Sequence, residues 1–186
     1  MLILDWQVRR LGLVLFSPFQ VLPMWLRPVF VLFLLIGAPS VGRAQSSATK
    51  PVADSLVAVV ERFFRAMAQR DTATLRSLTE PEGHAFALLW RQDSVEVSVA
   101  THREMLAPIA KARERWRERM WNPTVLHHGP LAVVWAPYDF HLDRKFSHCG
   151  VDTFTLIRRT EGWRIADVAF TMEPEGCKPS PLGPLR

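Results

Sequence analysis

Between Ser147 and Cys177 the chain reads SHCGVDTFTLIRRTEGWRIADVAFTMEPEGC. Two runs rich in Val, Ile, Thr, Phe and Trp flank Glu161-Gly162, and each carries a cysteine at its outer end. A two-residue turn ending in Gly between such runs is a strong local hairpin signal. With the turn at Glu161-Gly162, Asp152 pairs with Thr171, Phe154 with Ala169 and Leu156 with Asp167. Cys149 then lies opposite residue 174, close enough to Cys177 for a disulfide. Closing a loop of this length contributes about 3–4 kcal/mol in chain-entropy terms. Two independent buried thiols are the alternative. A metal site is not expected, because no His or Cys stands at short ligand spacing around the two thiols.

The N-terminus has a different character. Val29 to Ile36 is a short apolar core behind Arg27, followed by Pro39, Ser40 and Gly42-Arg43-Ala44. Small residues at Gly42 and Ala44 fit the positions a signal peptidase reads. Residues 1–44 are therefore expected to be a signal peptide, cleaved near Ala44, with export to the periplasm or the exterior. The apolar core is shorter than the roughly 20 residues of a membrane span; an uncleaved segment acting as an anchor is the alternative. Met24 would itself start a well-proportioned signal peptide, which leaves residues 1–23 readable as an over-extended start. An oxidising compartment suits a disulfide.

Of the 186 residues, 142 follow Ala44. The segment before them holds four Arg and one Asp, so the net charge of +5 falls to +2. That length supports one domain with a real core, and that charge does not imply nucleic acid. Residues 45–51 read as a flexible leader, 52–177 as the domain and 178–186 as a Pro-rich tail.

Leu56, Val59, Val60, Phe63, Phe64 and Met67 fall on a helical stripe. Asp71 reads as the N-cap of a short second helix that ends before Pro81. Two short strands are expected around Arg91-Gln92-Asp93. Thr101-His-Arg-Glu104 is a capping box opening a long helix, with Met105, Ile109, Ala112, Trp116 and Met120 on its stripe and an end at Asn122-Pro123. Strands follow at Val125–His128, Leu131–Leu142, Phe146–Arg159 and Trp163–Met172.

Helices first and antiparallel strands after them make an α+β order. Here the chain resembles the nuclear transport factor 2-like superfamily, including its ketosteroid isomerase-like and polyketide cyclase-like branches. The first helix ending at Arg70-Asp71 and the GVDTFTLIRRTEGWRIADVAF segment from Gly150 to Phe170 carry the resemblance. It covers residues 52 to 177. It implies a cone, a curved antiparallel sheet wrapped around N-terminal helices with an internal pocket, and it implies little about chemistry.

In the expected register one face holds His148, Asp152, Phe154, Leu156, Trp163, Ile165, Asp167, Ala169 and Thr171. It mixes ionisable groups with aromatics and is assigned to the pocket. The other face holds Val151, Thr153, Thr155, Ile157, Ala166, Val168, Phe170 and Met172, and is assigned to a sheet-to-sheet homodimer. The assignment is reversible. A two-residue loop at Asp143-Arg144 sets Asp139 opposite His148 and Trp135 opposite Asp152. A three-residue loop sets Phe140 opposite His148 and brings Tyr138 onto the same face. Candidate catalytic residues are thus Asp152, His148 and Tyr138, with Trp135, Asp139, Phe154, Asp167 and Thr171 as candidate ligand-binding residues.

Blander readings stand beside these. Asp152 can bond backbone or Thr171, His148 can sit at the rim, and Tyr138 can cap the core. His127 and His128 point to opposite faces of a strand and cannot share a metal. The Arg-rich face around Glu114 and Glu118 reads as solvated. No Gly-rich phosphate loop, Ser elbow or His-Glu-x-x-His occurs, and no cofactor or metal is expected. The leading expectation is an exported cone that binds a small apolar molecule or serves as a non-catalytic assembly module. A cofactor-free lyase or isomerase using Asp152 with His148 or Tyr138 is the second. An envelope protein-interaction module is the third. Membrane contact is expected only through an uncleaved signal segment.

Overall fold

The computed structural model describes residues 49–91 and 94–185. The expected signal segment, most of the leader and the Gln92-Asp93 centre of the first turn lie outside the described residues. Helix α1 (Thr49–Gln69) carries its stripe inward: Leu56, Val60, Phe63, Phe64 and Met67 are buried. Pro51 falls in its first turn, where a missing N–H leaves no bond unmade. Asp71 caps α2 (Thr72–Leu78) by accepting the Thr74 N–H at 2.9 Å. Strands β1 (His84–Arg91) and β2 (Ser94–Thr101) form a hairpin that runs directly into α3 (His102–Lys111). The expected capping box opens α3, with the Glu104 N–H donating to Thr101 Oγ1 at 3.2 Å and the Thr101 N–H donating to the Glu104 carboxylate at 2.8 Å.

Five strands follow: β3 (Trp116–Met120), β4 (Thr124–His128), β5 (Leu131–Leu142), β6 (Lys145–Arg159) and β7 (Gly162–Met172). The sheet order is β2-β1-β7-β6-β5-β3, with β4 also paired to β5. Only the β1–β7 ladder is parallel. The domain is therefore α+β, with a curved, unclosed mixed sheet whose inner face packs on the helices. Phe154 at the centre of β6 meets Phe63 and Phe64 of α1 edge to face, at 5.9 and 5.7 Å between ring centroids.

Three expectations change. The helix opened by Thr101 stops at Lys111, and residues 116–120 form a strand instead of its second half. Trp116, Glu118 and Met120 alternate with Arg117 and Arg119, so a strand turns the two sets to opposite faces. It also pairs with the edge of β5, from Trp116 opposite Leu142 to Met120 opposite Tyr138. Asp143 clamps the entry: its N–H donates to the Arg115 carbonyl at 2.8 Å, and its carboxylate accepts the Arg115 N–H at 2.9 Å.

The β6–β7 turn comes one residue earlier, with Arg159 opposite Gly162 and Thr160-Glu161 between them. Gly162 takes φ +129, a region open to a residue without Cβ. A bulge then leaves Ala166 unpaired between Ile165 and Asp167, so Asp152 pairs with Phe170 and Phe154 with Val168. One inserted residue reverses every later side chain on the strand. Val168, Phe170 and Met172 therefore face inward, and Asp167, Ala169 and Thr171 face outward.

The β5–β6 turn combines both loop alternatives. Leu142 pairs with Lys145 across a two-residue loop, and Asp143 supplies the positive φ of +56. A bulge at Ser147 then shifts the ladder, so Phe140 lies opposite His148 and Asp139 opposite Cys149. Cys149 and Cys177 form the expected disulfide, with Cα atoms 6.0 Å apart.

Candidate functional site

The helices and the inner sheet face enclose a cavity of about 350 Å³. Its wall is built mostly from apolar side chains: Met67 of α1, Met105 and Ile109 of α3, Trp116 of β3, Phe140 and Leu142 of β5, and Phe170 and Met172 of β7. Into this wall are set Glu118, Tyr138, Ser147, His148 and Asp152. Of the residues singled out in the sequence, the cavity gathers Tyr138, His148, Asp152 and Phe154.

It excludes four. Trp135 lies on the outer face of β5 and is 43% exposed. Asp139 is buried on that same outer side, where Arg119 grips its carboxylate through two guanidinium nitrogens. No Asp139–His148 dyad forms, because the Ser147 bulge moves Asp139 opposite Cys149. Asp167, turned outward by the Ala166 bulge, accepts the His84 N–H at 2.8 Å. Thr171 is turned outward with it, and its hydroxyl accepts the Val151 N–H at 3.0 Å.

Asp152 is 1% exposed, and one of its carboxylate oxygens has no hydrogen-bond partner among the described residues. No hydrogen bond ties it to His148 or Tyr138. Its neighbour is Glu118, from the strand that sequence reasoning took for a helix. Burial, and the negative charge beside it, push the Asp152 carboxyl well above the usual carboxylate range. Burial raises Glu118 to about 7. Two carboxylates held this close in a low-dielectric site do not both ionise, so the pair keeps one proton between them near neutrality. Glu118 is only partly buried and also borders an open groove between α1 and β3, lined in part by tail residues Leu182 and Leu185. That gives it a route to solvent that Asp152 lacks.

Tyr138 and His148 shape the polar end. The Tyr138 hydroxyl donates to the Thr171 carbonyl at 2.7 Å. Gly150 stands opposite Tyr138 on β6, and a Cβ there would come within 2.0 Å of that same carbonyl oxygen, so no side chain fits. Burial, together with the two carboxylates, raises the Tyr138 hydroxyl above its ordinary range and keeps it protonated. His148 stacks on Phe140 at 4.8 Å and meets Tyr138 edge-on at 5.8 Å, with Nδ1 3.0 Å from Ser147 Oγ. Burial lowers it to about 4, so it is a neutral ring at ordinary pH. One signal for Glu118 was present in the sequence: the Trp-Arg-Glu-Arg-Met run alternates with period two, as a strand does.

No curated protein matches the chain in sequence. Among solved structures, a protein of unknown function from Mycobacterium tuberculosis superposes with a TM-score of 0.57 at 13% identity, over 72% of this chain and 83% of its own. A nuclear transport factor 2-like protein with a cystatin-like fold from Novosphingobium aromaticivorans gives 0.56 at 11% identity, over 70% and 87%. A candidate dehydratase of the same superfamily from Streptomyces avermitilis gives 0.53 at 17% identity, over 67% and 97%. At these identities the likeness is one of fold. The family model for the SnoaL-like domain matches residues 56–172, well over half of the chain. The chain thus belongs to the SnoaL-like domain family, with a fold similar to that of nuclear transport factor 2-like proteins.

Proposed function

We propose that the protein binds a small, largely apolar molecule in its cavity and moves one of that molecule's protons with the Glu118–Asp152 pair, as a cofactor-free isomerase or lyase. The observation that supports this is a proton-sharing carboxyl pair set in an otherwise apolar wall, with one Asp152 oxygen unpartnered. The ionised member takes a proton from a carbon next to a carbonyl. The neutral member donates a hydrogen bond to the carbonyl oxygen as negative charge gathers there. Return of the proton to another carbon completes an isomerisation; loss of a leaving group completes an elimination. His148, held neutral, offers hydrogen bonding without charge.

Small apolar ketones in deuterated water test the idea, with deuterium uptake at the α-carbon read by NMR. Glu118→Gln and Asp152→Asn are expected to lower exchange by about 10²–10⁴-fold, the usual range for a general acid or base, while retaining ligand. Equal exchange in wild type and both variants defeats the proposal. Binding without any exchange selects the second reading, a non-catalytic carrier, which the apolar wall alone favours.

Two further parts of the proposal concern setting. The Cys149–Cys177 disulfide supports an exported protein in an oxidising compartment, testable by mapping the N-terminus of the mature chain. The exposed Val95, Val97 and Val99 on the outer sheet face support a homodimer.

A further inference from the structure

Away from the cavity, the α3–β3 loop and the β5–β6 turn concentrate positive charge that proton transfer does not use. Arg70, Arg115, Arg117 and Arg144 surround a hollow of about 380 Å³, with Asp143 as the one carboxylate on its wall. Ion pairs among the described residues engage Arg65, Arg103, Arg119, Arg159 and Arg164, and none of the four arginines of the hollow.

The hollow is held from several sides. Arg70 ends α1 at φ +57, the left-handed position that Gly usually takes. The Asp71 N–H bonds to the Ala66 carbonyl at 2.9 Å and the Arg70 N–H to the Met67 carbonyl at 3.1 Å, which fixes that ending. From there the Arg70 guanidinium donates to the Arg113 carbonyl at 2.6 Å, tying helix end to loop. Asp143, also left-handed at φ +56, exchanges two hydrogen bonds with Arg115. Two positions thus accept an unfavourable backbone conformation where the arginines converge. Opposing an anion are the Asp143 carboxylate and the negative end of the α1 dipole. Four guanidinium groups exceed both.

We propose that this hollow is a second binding site, for a small oxyanion of two or more negative charges, of the phosphate monoester or pyrophosphate kind. Guanidinium forks match phosphate oxygens in pairs, and four forks around one space call for more charge than a single carboxylate brings. Its concavity fits a small ligand better than a flat anionic surface.

Pyrophosphate is the probe, titrated calorimetrically into the purified protein with its disulfide intact, at low and at physiological salt. The expected result is saturable one-to-one binding that weakens with salt. Arg117→Ala and Arg144→Ala should each weaken it roughly tenfold, the scale of one charge-assisted hydrogen bond. Asp143→Asn should tighten binding, because Asn keeps the acceptor for the Arg115 N–H and tolerates positive φ while removing the opposing charge. Arg158→Ala, on the far hairpin, should change nothing. Thermal melts establish that each variant is folded. The proposal is overturned by binding that never saturates, by unchanged affinity in the Arg117→Ala/Arg144→Ala protein, or by looser binding in Asp143→Asn. Adsorption to anionic lipid vesicles without pyrophosphate binding overturns it equally.

Discussion

Glu118 and Asp152 hold a proton that the unfolded chain releases, which makes the pair visible in stability before any substrate is known. A carboxyl raised on folding stabilises fully below its unfolded value, and that contribution is lost as pH rises through the folded value. For Glu118 the window runs from about 4.5 to about 7. His148 works in the opposite sense: lowered from 6.5 to about 4, it stabilises above 6.5 and loses that contribution as pH falls toward 4. The two slopes oppose each other over most of the same range, so the wild-type profile alone is uninformative. The difference between wild type and the Glu118→Gln/Asp152→Asn protein cancels His148. That difference should shift in favour of the variant as pH rises from 4.5 to 7, by at most about 1.4 kcal/mol per pH unit for one proton. Urea unfolding at several pH values measures it; a difference constant with pH would mean that the carboxyls do not share a proton.

At the scale of elements, the caps and hairpins were legible because their signals are local. Asp71, the Thr101–Glu104 box, and the strands flanking Glu161-Gly162 each need only a few neighbouring residues to be recognised. What escaped depended on pairing. Residues 112–120 continue the helical stripe of α3 on paper, and only the free edge of β5 makes the strand alternative better. The Ala166 bulge has no composition signature, yet it exchanges Asp167, Ala169 and Thr171 for Val168, Phe170 and Met172 on the inner face. Of the candidate residues, the cavity is therefore lined by His148, Asp152 and Phe154 of β6 and Tyr138 of β5, while Glu118 gave no sign of belonging with them beyond its period-two alternation. The disulfide was reached despite the register error, because it lies beyond the end of the ladder, where Cys149 and Glu173 exchange backbone hydrogen bonds at 3.2 and 2.8 Å. It bridges residues 28 apart. Replacing both cysteines with serine should lower unfolding free energy by up to about 3–4 kcal/mol, read as a reduced denaturation midpoint with the slope broadly retained. An unchanged midpoint would mean that the bridge constrains nothing the rest of the fold does not.

At the scale of the whole domain, the outer sheet face carries a row of uncharged residues bordered by exposed valines. One row runs Val99, Phe86, Ala169, Thr153 and Trp135 across five strands, and no member is charged. Val95, Val97 and Val99 are each more than half exposed, as is Leu131 at the other end. A patch of this extent on a single chain calls for a cover. A second copy meeting it across a twofold axis would bring no like charges together along that row. Sedimentation is therefore expected to show a concentration-dependent dimer. Val97→Lys would place two ammonium groups in that interface, one from each copy, and should leave a monomer. Because Val97 is 57% exposed, the monomer itself should lose no more than about 0.5 kcal/mol, so dissociation and unfolding are separable. Melting temperature adds a second reading: it should rise with protein concentration in the wild type and not in the variant. A wild-type monomer at high concentration would remove the homodimer, and the apolar face would then need a different partner.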